Sequence, residues 1–206
     1  DCRRFFYDET IDRVKGRNRK EAALELNNWC FEQATYRSTS ARTASPMTVY
    51  RGGFGRCGEE STFLTSVLRS VGIPARQVYV PRWSHSDDNH AWVEVYVDGQ
   101  WHFLGACEPE EVLDSGWFKN ASSRTLMVHA KEFSDYGRDD EGAGSWQEGC
   151  VHYQNCTSAY TDTVMLRVKV TEADGTPAEN AGVFVEALNS AEYSAVARLI
   201  TDAAGE

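Results

Sequence analysis

The sequence predicts an α+β core followed by a partial β-sandwich, and three patterns carry that reading. Phe63, Leu64, Val67, Leu68 and Val71 fall on one face of a helix. Ala91 to Val97 alternates at period two, and Asp98-Gly99 is a tight turn that sends Gln100 to Leu104 back as a hairpin partner. From Thr163 onward, short alternating runs are separated by dipeptide turns, the pattern of a sandwich.

The charged N-terminal residues already read as helix. Asn18 to Glu32 follows as a second helix, with Ala22, Ala23, Leu26, Trp29 and Cys30 inward. Arg37 to Pro46 is a polar loop. Met47 to Phe54 leads through Gly52, Gly53 and Gly55, which let the backbone approach a site closely. The next helix starts at Cys57 and stops where Gly72 and Pro74 end its apolar repeat. Gln77 to Val80 is a short strand and Pro81 to Asn89 a polar loop before the hairpin. Val112 to Phe118 and Leu126 to Ala130 add short elements. In the C-terminal part, Val164 to Val170 and Ala181 to Ala187 are strands, Asp174-Gly175 is a turn, and Leu199 to Gly205 ends a third strand. The expected division is a core over 1–160 and a partial sandwich over 161–206. Three strands seldom stand alone, so the second piece reads as truncated or docked. The charged start at Asp1, with no signal-peptide pattern, reads as a piece of a longer protein.

Charge and composition narrow the partners. The formal net charge of −10 and the lack of a basic run argue against nucleic acid. No apolar run has transmembrane length. Six cysteines in 206 residues are too few for a disulfide scaffold, although Cys150 and Cys156 are spaced to clasp a small loop.

The chemistry-bearing pattern is a cysteine and a histidine in separate elements. Cys57 opens a helix, where the dipole and unpaired N–H groups favour a thiolate. Glu59 and Glu60 in the same turn oppose it, so this requires them to point to solvent. His90 opens a strand 33 residues later. Either residue alone reads blandly, as a small buried hydrophobe or a strand-end histidine. Together they point to a cysteine hydrolase or acyltransferase. The loop from Trp83 to His90 holds His85, Asp87, Asp88 and His90, groups that zinc or calcium use. No second ligand cluster accompanies them, and the loop reads instead as a polar cover for a cleft, with His85 and Asp87 facing it. No metal or organic cofactor is expected.

Four stretches in order then resemble the transglutaminase-like superfamily of papain-like folds. They are Gly55-Arg56-Cys57-Gly58-Glu59, Leu68-Arg69-Ser70-Val71-Gly72-Ile73-Pro74-Ala75-Arg76, His90-Ala91-Trp92-Val93-Glu94-Val95-Tyr96, and Trp101 through Cys107-Glu108. The first and last are particularly similar to cytoplasmic peptide N-glycanases. The resemblance implies a papain-like transglutaminase core, with the cysteine helix packed on an antiparallel sheet. It implies that Cys57 attacks an amide carbonyl of a peptide, protein or glycoprotein substrate, that His90 is the base, and that an aspartate on the returning strand orients the imidazole. The backbone N–H of Cys57 is the expected oxyanion donor, with Trp29 a second candidate better suited to packing. The chain departs from the pattern at the third member. The aspartate position holds Gly105, and Glu108 is the nearest downstream carboxylate; it reads as the orienting group or as a solvated cap for Pro109 to Leu113. Trp92, Trp101 and Trp117 read as core. The C-terminal strands resemble the first part of a carboxypeptidase-regulatory-like or Ig-like module, which implies an extracellular or periplasmic location. The rival to an enzyme is a binding module with a degenerate triad, and Gly105 motivates it.

Overall fold

The computed structural model describes residues 2–39, 43–133 and 144–206. The chain forms two compact units: 1–79 with 90–119, and 80–89 with 120–206.

In the first unit, helices α1 (Cys2–Val14), α2 (Arg19–Gln33), α3 (Pro46–Gly52) and α4 (Cys57–Ser70) surround the core. Asn18 caps α2 by accepting the Glu21 N–H at 2.9 Å while Glu21 reaches back to the Asn18 N–H, so both exposed donors are satisfied. α3 lies in the stretch expected only to lead into the cysteine. Ser45 caps it, Pro46 opens it, and Gly53 closes it with φ 71°. Short strands β1 (Thr35–Tyr36) and β2 (Phe54–Gly55) then pair in parallel and deliver the chain to Cys57. Trp29 is buried, stacking on Tyr50 at 5.9 Å and packing against Phe6 and Phe63. It is part of the core, as the packing reading expects.

Strands β3 (Ala75–Val80), β4 (His90–Val97) and β5 (Gln100–Leu104) lie in the order β5-β4-β3, with β4 and β5 antiparallel across the Asp98-Gly99 turn. Asp98 adopts φ 52° and Gly99 φ 87°, as a primed two-residue turn requires. The period-two alternation of β4 does not mean that one face is wet. Every residue from His90 to Val97 except Tyr96 is buried, because both faces are covered. Val93, Val95 and Val97 join the core built on α4. On the other face, Trp92 stacks on Phe118 at 4.8 Å, and Glu94 meets Arg76 at 2.7 Å.

The second unit contains β6 (His129–Glu132), β7 (Trp146–Glu148) and β8 (Val151–Asn155), antiparallel in the order β6-β8-β7. The hairpin β9 (Gly182–Asn189) and β10 (Glu192–Ile200) follows. The segment expected as a Cys150–Cys156 clasp holds β8 instead, and no disulfide joins the two cysteines. Cys156 is buried with its sulfur 3.5 Å from the Val128 carbonyl, while Cys150 sits in an exposed turn. Val164 to Val170 was expected as a strand, yet it joins no ladder among the described residues. It is tied down near its end, by the Val170 N–H to the Gly205 carbonyl at 2.8 Å, the Ala178 N–H to the Val170 carbonyl at 3.0 Å and the Arg167 guanidinium to Glu206 at 3.2 Å.

The loop 80–89 belongs to this second unit. The buried Asn189 amide donates to the carbonyls of Trp83 at 3.0 Å and Ser86 at 2.7 Å, and the Ser190 N–H bonds Asp87 at 2.7 Å. An amide group thus fills the point where the loop carbonyls converge. Among the described residues no cluster of His, Cys, Asp and Glu could hold a metal ion.

Candidate active site

Cys57 is half-buried at the first position of α4. The backbone N–H groups of Ala91 and Gly58 point at its sulfur. Ala91 directly follows His90, so the thiol abuts the first residues of β4. Helix α4 and strand β4 thereby bring Cys57 to the start of the strand that His90 opens.

The expected thiolate is not what this environment favours. Burial raises the Cys57 thiol above its usual value, against the N–H groups of Ala91 and Gly58 and the Arg56 charge; Glu60 adds to the rise. The resting sulfur is therefore a thiol at neutral pH. Its activation requires a base during attack rather than a standing ion pair.

The two carboxylates of the first turn do not face solvent. Glu59 is buried and turned back over the helix start. It accepts from Thr39 Oγ1 at 2.7 Å and from the backbone N–H of Arg56 at 3.0 Å and Ala44 at 2.8 Å. Burial opposes its charge, but these bonds and Arg56 outweigh burial and hold the carboxyl below the usual range. Glu60 is buried without such compensation. Burial, then the nearby charges of Glu108 and Glu59, push it from 4.5 to about 8, so it is a neutral acid at pH 7.

This neutrality sets a pH dependence. In the unfolded chain Glu60 ionises near its ordinary value, and folding must hold the proton on. Its contribution is complete below about pH 4.5 and declines as pH rises toward about 8. At pH 7 the cost is about 3 kcal/mol, at about 1.4 kcal/mol per pH unit. Glu60→Gln is expected to raise the melting temperature at pH 7 by roughly 5–10 °C and to remove most of the decline between pH 5 and 8. Equal melting curves for both proteins at pH 5 and pH 8 would refute the neutral acid.

Glu108 caps no helix, and its carboxylate is partly buried. Pro109 to Leu113 forms no helix. Both Glu108 carboxylate oxygens accept the Trp117 indole N–H at 3.1 Å. Burial raises its pKa and Glu110 adds to this, while the Trp117 bond works the other way. The Gly105–Glu108 turn is clamped by Asn27, whose amide donates to the carbonyls of Gly105 at 2.8 Å and Glu108 at 3.1 Å and accepts the Cys107 N–H at 2.9 Å. Asn27 could have been found in the sequence. It shares the inner face of α2 with Ala23, Leu26 and Cys30, and a polar residue there must meet a polar partner.

His90 is buried in an aromatic box. Its ring centroid lies 4.5 Å from that of Trp117, 5.0 Å from Phe118 and 5.9 Å from Trp92. Only Trp92 fits the expectation that the tryptophans are core. Trp101 is partly exposed and carries the Arg76 guanidinium at 4.1 Å, while Trp117 is 63% exposed. Nothing in periodicity marks Trp117, because it lies in an irregular segment between the hairpin and the second unit. His85 and Asp87 of the polar loop are both exposed.

Residues 8–106 match the model of the transglutaminase-like superfamily. The match takes in α2 through β5, a little under half of the chain, and contains Cys57 and His90. It is 28% identical over 160 residues to the peptide-N(4)-(N-acetyl-beta-glucosaminyl)asparagine amidase of Homo sapiens, covering 75% of this chain and 21% of that protein. It is 30% identical to the Macaca fascicularis protein of the same name over the same shares. The chain therefore spans about a fifth of the length of these relatives. Among solved structures, calcium-bound LapG of Legionella pneumophila aligns with a TM-score of 0.46 at 19% identity, over 64% of this chain and 74% of that one.

Proposed function

We propose that this protein hydrolyses, or transfers the acyl group of, peptide or glycopeptide amides through a thioester on Cys57. The observation that carries the reading is the thiol at the start of α4 receiving the Ala91 N–H, beside His90. In the proposed reaction His90 takes the Cys57 proton as sulfur attacks the amide carbonyl. The backbone N–H of Cys57, one of the unbonded donors at the helix start, faces the developing oxyanion. His90 then returns the proton to the leaving nitrogen, and water or an amine releases the acyl group. A raised thiol fits general-base activation in the complex. The similarity to asparagine amidases supports a glycopeptide amide among the substrates, and no organic cofactor enters the scheme.

The rival reading is a binding module that keeps the fold without turnover. Gly105, standing where the resemblance places an aspartate, favours it. Incubation with an unstructured N-glycosylated peptide and its unglycosylated counterpart separates the two. The enzyme reading expects cleavage of one amide and a hydroxylamine-sensitive adduct on Cys57 by mass spectrometry. If neither peptide is cut and no adduct forms, while either peptide binds, the module reading replaces it.

The sequence pattern after residue 160 resembles the start of an Ig-like or carboxypeptidase-regulatory-like module, and on that basis we propose a location outside the cytoplasm. Detection in the cytosolic fraction alone after cell fractionation would overturn this placement.

A further inference from the structure

We propose that Trp117 is a positioning residue for His90, and that Glu108 acts on the imidazole through the Trp117 indole. The inference rests on the reading of His90 as the base. Three groups form the device. The first is the turn 105–108, fixed on α2 by the three Asn27 hydrogen bonds, so the Cα of Glu108 has a set position. The second is the carboxylate itself, which lies back over residue 105. A Cβ added at Gly105 would stand 2.3 Å from Glu108 Oε2 and 3.0 Å from Glu108 Cβ. The glycine is there for space rather than for an unusual φ, and any side chain at 105 would occupy the volume now filled by the Glu108 carboxylate. The third is the indole, whose N–H is held 3.1 Å from both oxygens and whose ring packs 4.5 Å from the His90 ring.

Exposure argues that the hydrogen bond, rather than packing, places the indole. Trp117 is 63% exposed while His90 is 7% exposed. Phe118 meets Trp117 edge-on at 5.8 Å and covers His90 from another side, so the indole has one aromatic wall and open solvent beyond. A ring so exposed has several accessible rotamers. A charge-assisted bond to a partly buried carboxylate selects one of them, and that rotamer closes the remaining side of the imidazole. Trp117 therefore limits the ring orientations of His90 and the water that reaches it.

The test compares Trp117→Phe, Glu108→Ala, the double variant and Gly105→Ala. The resting protein is followed by NMR of 15N-labelled imidazoles, which resolves five histidines in all, and turnover by kcat and KM. Trp117→Phe keeps a ring but removes the N–H. Trp117→Phe and Glu108→Ala are each expected to move the His90 imidazole signals in the same direction. They should lower kcat about tenfold or more, with KM changed less than about twofold, as misplacement of a catalytic group does. The double variant should be no worse than the weaker single variant. Gly105→Ala should reproduce Glu108→Ala by displacing the carboxylate. Unchanged His90 signals in Trp117→Phe, or losses that multiply in the double variant, overturn the proposal. The NMR arm needs no substrate, so a wild-type protein without turnover would remove the amide-hydrolase reading while this inference is still decided.

Discussion

Cys57→Ala is expected to lower amide cleavage by about 10⁴-fold or more, because it removes the atom that bonds to the acyl group. Serine in its place should fare little better, since a hydroxyl at that site ionises far less readily than a thiol. Stability should change by less than about 1 kcal/mol, because the side chain is small and half-buried. The two readouts together make the experiment decisive: a folded, inactive variant isolates chemistry from structure. Alkylation of the wild-type thiol by iodoacetamide should rise with pH, with its midpoint above the value of about 8.5 usual for a free thiol, since burial raises this thiol. His90→Ala should lower turnover by a comparable factor while leaving the alkylation midpoint above that of a free thiol. If Cys57→Ala retains a tenth of the wild-type rate, the sulfur is not the nucleophile and the proposed chemistry fails.

The helix carrying Cys57 and the hairpin carrying His90 were legible because each is a strong local pattern closed by explicit stop signals: Gly72 and Pro74 for the helix, Asp98-Gly99 for the hairpin. That the cysteine helix packs against the strand opened by His90 was legible, since helix and sheet must pack. The protonation states were not. Helix-dipole reasoning favours a thiolate at Cys57 and sends Glu59 and Glu60 to solvent. Tertiary burial overrides both, and only coordinates reveal that Glu59 finds three donors while Glu60 finds two like charges. The Glu108–Trp117 pair was equally hidden. It depends on the Gly105–Glu108 turn, where Cys107 takes φ 57° under the Asn27 clamp, a conformation that no sequence period encodes. The helix α3 was missed for a milder reason. Its Ser45-Pro46 start is a good cap signal, but with its glycines the segment read as a lead-in to the cysteine. In the C-terminal part the alternation of Ala181 to Ala187 marked β9, whereas the β9–β10 turn at Ser190-Ala191, with φ 55° and 61°, carries no Gly or Pro signal. Alternation alone could not say that Val164 to Met165 would remain exposed.

Breaking the Arg76–Glu94 pair is expected to cost about 3–5 kcal/mol of stability. The pair is 2.7 Å long with both side chains less than a tenth exposed. In such a setting the pair itself contributes little net stability, since burying the charges offsets their attraction. Removing one partner is another matter, because it strands the other charge without water. Glu94→Ala therefore removes the carboxylate 2.7 Å from the buried Arg76 guanidinium, which also lies over the Trp101 ring at 4.1 Å. The consequence reaches the site. Arg76 lies on β3, Glu94 on β4 and Trp101 on β5, so one side-chain stack ties together the strands that hold His90 in place. Urea unfolding should show a midpoint lowered in proportion to the loss, with an unchanged slope. The paired change Arg76→Met with Glu94→Leu should recover much of it, because two apolar side chains of similar volume leave no stranded charge. Were Glu94→Ala to unfold within about 1 kcal/mol of wild type, the guanidinium must reach water, and the buried tie across the three strands would be wrong.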